Sequence, residues 1–191
     1  MSDFYELVTA PIEQPLTFNT ASKWCRDIHS EDADLVTALI KSATNLFESM
    51  SNRVFVTRSL TGKFPGVCSS NQESHPFVAI KRSPLIAISE IRTDGDVLDP
   101  TAYAIKESSS FARVWFLENL DLDVDTPYPI EIDFTAGYGL AASLPSEIIT
   151  MLEQTILFWY ENRGDVSTDE KQQIPFVAKQ ILKSIRIVNT F

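Results

Sequence analysis

The stretch PIEIDFTAGYGLAASLP, from Pro129 to the proline at position 145, contains the change of periodicity that decides the fold. From Ile130 to Phe134 apolar and acidic residues alternate, which is typical of a half-buried β-strand. Gly137 and Gly139 then interrupt the strand, and the final proline suits the first turn of a helix. The stretch therefore predicts a strand, a glycine turn and a helix in succession.

The residues that follow have the periodicity of two helices. Apolar side chains spaced three and four apart continue to Tyr160, and Arg163-Gly164 supplies the basic residue and the glycine that end a helix. Pro175 begins a last helix. The apolar side of this last helix consists of Phe176, Val177, Ile181, Leu182 and Ile185. Its other side carries Lys179, Lys183 and Arg186.

The N-terminal part of the chain also predicts helices, after an extended arm. Residues 1–16 hold two prolines among scattered apolar side chains, which indicates the arm. Thr17 is a candidate N-cap for a short helix. A longer helix opens at Ser30 or Asp32 and ends near Arg53, because its apolar residues recur every three or four positions.

Between these helices the sequence has the character of short β-strands. The runs are rich in β-branched and aromatic residues, and Asp94-Gly95 fits a type I′ hairpin turn. The predicted strands are Val54 to Leu60, Phe77 to Lys81, Leu85 to Arg92, Tyr103 to Lys106, Arg113 to Leu117 and Pro129 to Phe134.

Helices, then strands, then helices predict an α+β fold rather than an alternating α/β fold. We expect a mainly helical core, made of two N-terminal and two C-terminal helices, with an inserted antiparallel β subdomain. The expected segments are the arm and first helices over 1–53, the inserted β region over 54–140 and the C-terminal helices over 141–191. Together they are expected to form one domain.

Composition excludes several classes of protein. Of the 191 residues 44% are hydrophobic and 22% charged, which excludes global disorder. No apolar run approaches the roughly 20 residues of a membrane span, and the N-terminus lacks the basic region of a secretory signal. Two cysteines are too few for a disulfide framework, so a reduced cytoplasm is the expected environment.

The formal net charge of −10 is unevenly distributed. Residues Asp94 to Asp133 include ten acidic and two basic side chains, whereas Lys171 to Phe191 include four basic and no acidic ones. A general nucleic-acid binder neutralises phosphates with Lys and Arg, so this balance argues against one. The asymmetry predicts one surface that repels acidic partners and another that attracts them.

Three patterns resemble chemical sites. Residues Gly137 to Ala142 fit G-x-G-x-x-A, but the proline at 145 delays the helix whose amides would bind a pyrophosphate, which favours a simple glycine turn. Asp121 to Asp125 imitates a calcium loop, but Thr126 and Ile132 stand where an EF-hand needs Gly and Glu. The spacing of common zinc sites is absent from Cys25, His29, Cys68 and His75.

No catalytic residue, metal ligand or cofactor is therefore predicted. A cofactor- or metal-binding enzyme that uses the Gly137/Gly139 turn or the Asp121–Asp125 loop stays the alternative. Two further features allow an interaction surface instead. Trp159 and Tyr160 either anchor a partner or pack in the core, and the basic side of the last helix either meets an acidic partner or is a solvated face.

The order of several short stretches resembles a family of structural proteins. These stretches are Leu7 to Pro11 with Glu13 to Thr17, Arg82 to Leu85, Ile91 to Gly95, Leu98 to Pro100 with Tyr103, Phe134 to Gly139, Leu144-Pro145 with Ile148, and Trp159 to Arg163. Over nearly its whole length the chain is similar to the head–tail connector proteins (adaptor, or head-completion proteins) of tailed phages and prophages, in the longer variety with a β insertion.

This resemblance implies a structural virion protein and not an enzyme. Members of the family assemble as a ring, usually dodecameric, below the portal, where the ring extends the DNA channel and joins head to tail. The implied partners are the portal ring, neighbouring copies of the chain and the next head-completion or tail protein. DNA passes through without specific binding, and no membrane is involved. The implied location is the virion, assembled in the cytoplasm of a bacterial host.

We expect the C-terminal end to dock on the portal, because an apolar, basic and acid-free terminus suits insertion into a partner. The docking candidates are Arg186, Ile187, Val188 and Phe191. Lys179 and Lys183 are candidates for a second, partner-facing surface on the last helix.

Overall fold

The computed structural model describes residues 3–24, 28–69, 75–107, 111–118, 120–123, 125–162 and 174–187. Over these residues the chain forms helices and antiparallel strands, which confirms the predicted α+β class. The helices are α1 (Phe18–Trp24), α2 (Ala33–Ser51), α3 (Ser146–Glu161) and α4 (Phe176–Ile185). The strands are β1 (Phe4–Thr9), β2 (Arg58–Phe64), β3 (Phe77–Ile80), β4 (Leu85–Thr93), β5 (Asp96–Val97), β6 (Tyr103–Glu107), β7 (Ala112–Phe116) and β8 (Ile130–Ala136).

The chain is divided into two compact units. The β unit comprises residues 1–12 and 57–137, and the helical unit comprises residues 13–56 and 138–191. The β unit differs from the predicted insertion by a few residues at each end, and the N-terminal arm contributes β1 to it. The two units contain nearly equal numbers of residues. The expected mainly helical core therefore corresponds to the helical unit alone and not to the whole chain. The grouping of all segments into one domain stays a prediction.

The β unit contains two antiparallel sheets. One has the strand order β1-β2-β8-β4-β5, and the other has the order β3-β7-β6. In the central strand β8 the side chains of Ile130, Ile132 and Phe134 are buried, while Glu131 and Asp133 between them are half-buried. The alternation read from the sequence is thus confirmed.

Ion pairs cover one face of the larger sheet. The Arg92 guanidinium contacts Glu90, and its nitrogens lie 2.9 Å from Asp133 Oδ2 and 3.3 Å from Glu131 Oε2. Lys63 Nζ reaches the other Glu131 oxygen at 3.5 Å. These charges link β2, β8 and β4, but half-exposed pairs of this kind each contribute only about 0–1 kcal/mol.

The structure shifts the first predicted strand and adds two strands that were not predicted. The first strand of the insertion begins at Arg58 rather than Val54, because Phe55 and Val56 are buried in the helical core instead. The arm is strand β1, paired with β2, and residues 96–97 form the short strand β5. The turn at Asp94-Gly95 is confirmed: both residues have positive φ, 52° and 91°.

The helical unit has its own apolar core. Each of the three longer helices buries one stripe of side chains, worth about 1.5–3 kcal/mol for each large side chain, whereas α1 buries only Ala21. The stripes of the three longer helices include Val36, Ile40, Ala43 and Phe47 from α2, Ile148, Leu152 and Ile156 from α3, and Ala178, Leu182 and Ile185 from α4. None of the helices in the described parts of the chain combines the length and apolar character of a membrane span.

Two aromatic residues and two residues of α4 test the predicted helix faces. Trp159 and Tyr160 are partly buried and pack against the core, which agrees with the second of the two interpretations given above. The assignment of Phe176 and Val177 to the core-facing side of α4 is wrong, because their side chains are 73% and 47% exposed. The buried stripe begins one residue later, at Ala178, whose small side chain gives only a weak signal in the sequence.

Candidate interaction surface

Helix α4 supplies most of the lining of a groove on the helical unit. The cavity measures about 360 Å³. Its apolar lining consists of Met50, Ile174, Phe176 and Leu182. Its polar lining consists of Lys179, Gln180, Lys183 and Arg186. We call these eight residues the α4 groove. With three basic and no acidic side chains, the α4 groove favours an occupant that carries both apolar and acidic groups.

The sequence did not predict that exposed apolar side chains would line the α4 groove. Met50, near the end of α2, is 40% exposed, although its spacing placed it on the core face of that helix. Phe176 is the most exposed side chain of the apolar lining. Large apolar side chains gathered on a surface mark interaction sites more often than isolated ones do. The signal in the sequence was a basic helix face beside a proline-initiated first turn rich in apolar residues.

The structure brings the predicted basic residues together. Lys183 and Arg186 are exposed, Lys179 is half-buried, and all three line the α4 groove. In the part of the chain that the structure describes, Lys183 and Arg186 form no ion pair. Their charges are therefore available to an acidic partner.

The predicted portal-docking residues have different environments. Arg186 is exposed, whereas the side chain of Ile187 is buried, with 3% of it exposed. The Ile187 amide donates a hydrogen bond to the Ser51 carbonyl at 3.0 Å, and the Asn52 side-chain amide contacts the Ile187 carbonyl at 3.5 Å. Ile187 thus anchors the end of the chain. Val188 and Phe191 lie outside the described residues.

Arg53 also holds the C-terminal end of α4 in place through hydrogen bonds. Its Nε donates to the Ile185 carbonyl at 2.6 Å, and its Nη1 donates to the Tyr138 hydroxyl at 2.9 Å. The arginine therefore joins three segments of the helical unit that are distant in sequence. The sequence offered only a basic residue after a helix end, which by itself indicates no such role.

A cluster of aspartates lies at one end of the larger sheet of the β unit. The Asp123 amide donates to Asp94 Oδ2 at 3.1 Å, and the Asp94 amide donates to the Pro129 carbonyl at 2.8 Å. These bonds hold Asp123 and Pro129 beside the β4–β5 hairpin. The exposed side chains of this hairpin and of the segment around Asp123 are Asp94, Asp96, Val97, Asp121, Asp123 and Asp125. We call these six residues the acidic tip.

Asp99 adds to the negative charge of this region. The amide and the hydroxyl of Thr101 both donate to Asp99 Oδ1, at 2.8 and 2.6 Å. These hydrogen bonds favour the charged form and hold the pKa of the Asp99 carboxyl below its usual range. Asp99 therefore stays ionised at neutral pH.

The glycine turn differs from a dinucleotide-binding loop. Gly137 and Gly139 have φ of 135° and 116°, and a 3-10 turn at Ala141–Ser143 follows them, so α3 begins only at Ser146. The Ala141 amide, which would face a pyrophosphate in such a loop, donates to the Glu13 carboxylate at 2.6 Å. The Glu13 carboxylate therefore already satisfies an amide that a dinucleotide-binding loop would offer to a phosphate.

The candidate metal ligands are not gathered into a site. Asp123 caps its own loop, accepting from the Asp125 amide at 3.0 Å and the Thr126 hydroxyl at 3.1 Å. Cys68 is exposed, and Cys25 lies outside the described residues. Across the residues that the structure describes, no three His, Cys, Asp or Glu side chains are grouped to hold a metal ion.

Comparison with solved structures identifies the fold. A chain of "Virion of native gene transfer agent (GTA) particle" is similar with a TM-score of 0.74 and 17% identity. Chains of "Neck of native GTA particle computed with C12 symmetry" and "Neck of empty GTA particle computed with C6 symmetry" are similar with TM-scores of 0.69 and 0.75, at 15% and 16% identity. Each likeness covers 98% of this chain and 97% of the other. Neither a protein-family model nor a curated protein matches the sequence.

Proposed function

We propose that this chain is a structural virion protein, a subunit of the head–tail connector ring that lies below the portal, extends the DNA channel and joins head to tail. The observation that carries the proposal is the likeness to chains of a GTA particle and its neck, which extends over 98% of this chain. The order of short stretches that resembles phage head–tail connector proteins agrees with this role.

A ring fits the distribution of charge. In a closed cyclic ring every subunit presents two different surfaces, one to each neighbour. The α4 groove is basic and the acidic tip is negative, so one chain has two complementary surfaces. The neck structures computed with C12 and C6 symmetry support this arrangement by analogy. The subunit contributes surfaces rather than catalysis, and the role requires no cofactor.

The proposed partners are the portal ring, neighbouring copies of this chain and the next head-completion or tail protein. DNA passes through the ring without specific binding, because many phosphate contacts would slow its transit. The net charge of −10 suits a conduit of this kind. The proposed location is the virion, assembled in the host cytoplasm.

We place portal docking at the C-terminal end, with Arg186 and residues 188–191 as the contact and Ile187 as the anchor that orients them. The buried Ile187 gives the following residues a fixed starting point on the helical unit. Fixing one end of a docking segment lowers the entropy lost on binding.

The decisive experiment mixes the protein with its cognate portal and images the complexes by electron microscopy. We expect ring density on the portal. Portals that stay bare at high protein excess would contradict the proposal. Absence of rings without the portal would not, because docking adds contacts that the free subunit lacks.

A further inference from the structure

The α4 groove has the features of one half of a protein–protein contact. Phe176 and Met50 expose apolar surface within it, and Lys179 and Lys183 place positive charge at the same cavity. An occupant must therefore cover apolar side chains and bring carboxylates to the basic ones. An apolar segment without acids would leave the charges unpaired, and a purely acidic one would leave the apolar lining in water.

The acidic tip has the complementary features. Val97 is 64% exposed and directly follows Asp96 in the two-residue strand β5. Asp94 precedes this strand and accepts from the Asp123 amide, and in the described residues none of the five aspartates forms an ion pair within the chain. The hairpin turn and the hydrogen bond between Asp94 and Asp123 hold the carboxylates in place before any contact forms.

We propose that the α4 groove of one subunit binds the acidic tip of a neighbouring copy of this chain. The occupant is a second copy because the charge complementarity lies within one sequence: ten acidic against two basic residues over Asp94 to Asp133, and four basic residues with no acid over Lys171 to Phe191. A contact between two different surfaces of identical chains repeats from subunit to subunit, and it closes as a ring when the rotation between neighbours allows closure. The proposal rests on the ring function proposed above and names its subunit contact.

Charge reversal on each side tests this contact. The groove variant combines Gln180→Glu with Lys183→Glu, two exposed lining positions outside the tail. The tip variant combines Asp96→Lys with Asp125→Lys. Each variant alone brings like charges together and should lose closed rings on the portal. An equimolar mixture should restore them, because an alternating ring contains only native contacts and contacts in which both charges are reversed.

Two single reversals on the same units serve as controls. Lys41→Glu on α2 and Glu118→Lys in the β unit are exposed and lie outside both surfaces, so rings should form as in the wild type. Thermal melting of every variant checks folding. Rings from either double variant alone, or a mixture that stays without rings while both variants are folded, would overturn the proposal. Bare portals with the wild-type protein would instead overturn the proposed function.

A zero-length carbodiimide cross-linker gives a second readout. It joins amines to carboxylates in contact, and a mixture of ¹⁴N- and ¹⁵N-labelled wild-type protein on the portal distinguishes links between copies from links within one. We expect mixed-isotope links between Lys183 and aspartates of the acidic tip. Links from Lys183 to the portal only would assign the α4 groove to a different occupant and overturn the inference.

Discussion

The main-chain amide of Ile187 lies 3.0 Å from the carbonyl oxygen of Ser51, so the residue that follows Arg186 is bonded to the last residue of α2. The helix end at Ser51 has unsatisfied carbonyls, and this bond satisfies one of them. The side chain of Ile187 is buried as well. The C-terminal segment therefore has a folding role up to residue 187 and a proposed docking role beyond it.

Deleting residues 188–191 should abolish portal binding and leave the unfolding free energy nearly unchanged. Ending the chain after Ile185 should also destabilise the helical unit, because it removes Ile187 and its bond to Ser51. Ile187→Ala separates the two roles and should cost about 2–5 kcal/mol of stability. Urea unfolding and portal pull-down measure the two effects. Full portal binding by the chain lacking 188–191 would contradict the docking role.

Arg53 and Tyr138 should be energetically coupled, since the guanidinium donates to the phenol oxygen at 2.9 Å. Tyr138→Phe should cost about 1 kcal/mol, and Arg53→Met about 1.5–3 kcal/mol because it also loses the Ile185 carbonyl. A double-mutant cycle by urea unfolding should give a coupling of about 0.5 kcal/mol or more. Fully additive effects would show that the hydrogen bond contributes nothing.

Glu48 should matter through its ability to accept a hydrogen bond. Its buried Oε1 accepts from the Phe55 amide at 2.7 Å. Glu48→Met leaves that amide without this partner and should cost about 1–3 kcal/mol. The matched variant Glu48→Gln keeps an acceptor oxygen and should cost less. Equal losses in urea unfolding would show that packing, rather than the hydrogen bond, explains the effect.

Tyr5 should make the β unit sensitive to alkaline pH. Its ring packs edge-on against Phe64 and Phe134, and burial raises the pKa of its hydroxyl well above the usual value. Below about pH 10 the tyrosine is neutral in both states, and its contribution to stability is fully present. Above that pH the unfolded chain ionises first, so stability falls as pH rises towards the folded pKa.

Tyr5→Phe tests this expectation. The variant should begin less stable, because the Lys81 amide loses the Tyr5 oxygen it donates to at 3.0 Å. Between pH 9 and about 11 its unfolding free energy should then decline less steeply than that of the wild type. Parallel declines would rule out a special contribution from Tyr5.

Local periodicity was sufficient to predict much of the fold. The alternation over Ile130 to Phe134 and the stripe along α3 each depend on one face of one element being buried. The α+β class and the hairpin turn at Asp94-Gly95 followed from such patterns. By contrast, β1 is a strand only because it pairs with β2, some 50 residues away along the chain, and the arm contains no pattern that reports this pairing.

The candidate surface was predictable only in part. Lys179, Lys183 and Arg186 share one side of a helix at ordinary helical spacing, so their proximity could be read from the sequence. Met50 lines the same groove because α2 packs beside α4. This tertiary packing cannot be read from local spacing. The burial of Ile187 likewise depends on the distant Ser51, and a basic, apolar terminus gave no sign of it.

The pairing of Arg58 with Ala136 has a consequence for how this chain can evolve. Neighbouring residues in such a pair lie about 5 Å apart, so the chain enters and leaves the inserted region at almost the same point. In the helical unit the Tyr138 amide donates to the Phe55 carbonyl at 3.0 Å, which keeps the two flanking ends adjacent as well. A short loop could join those ends directly. The insertion can therefore change in length while the helices on either side of it keep their packing.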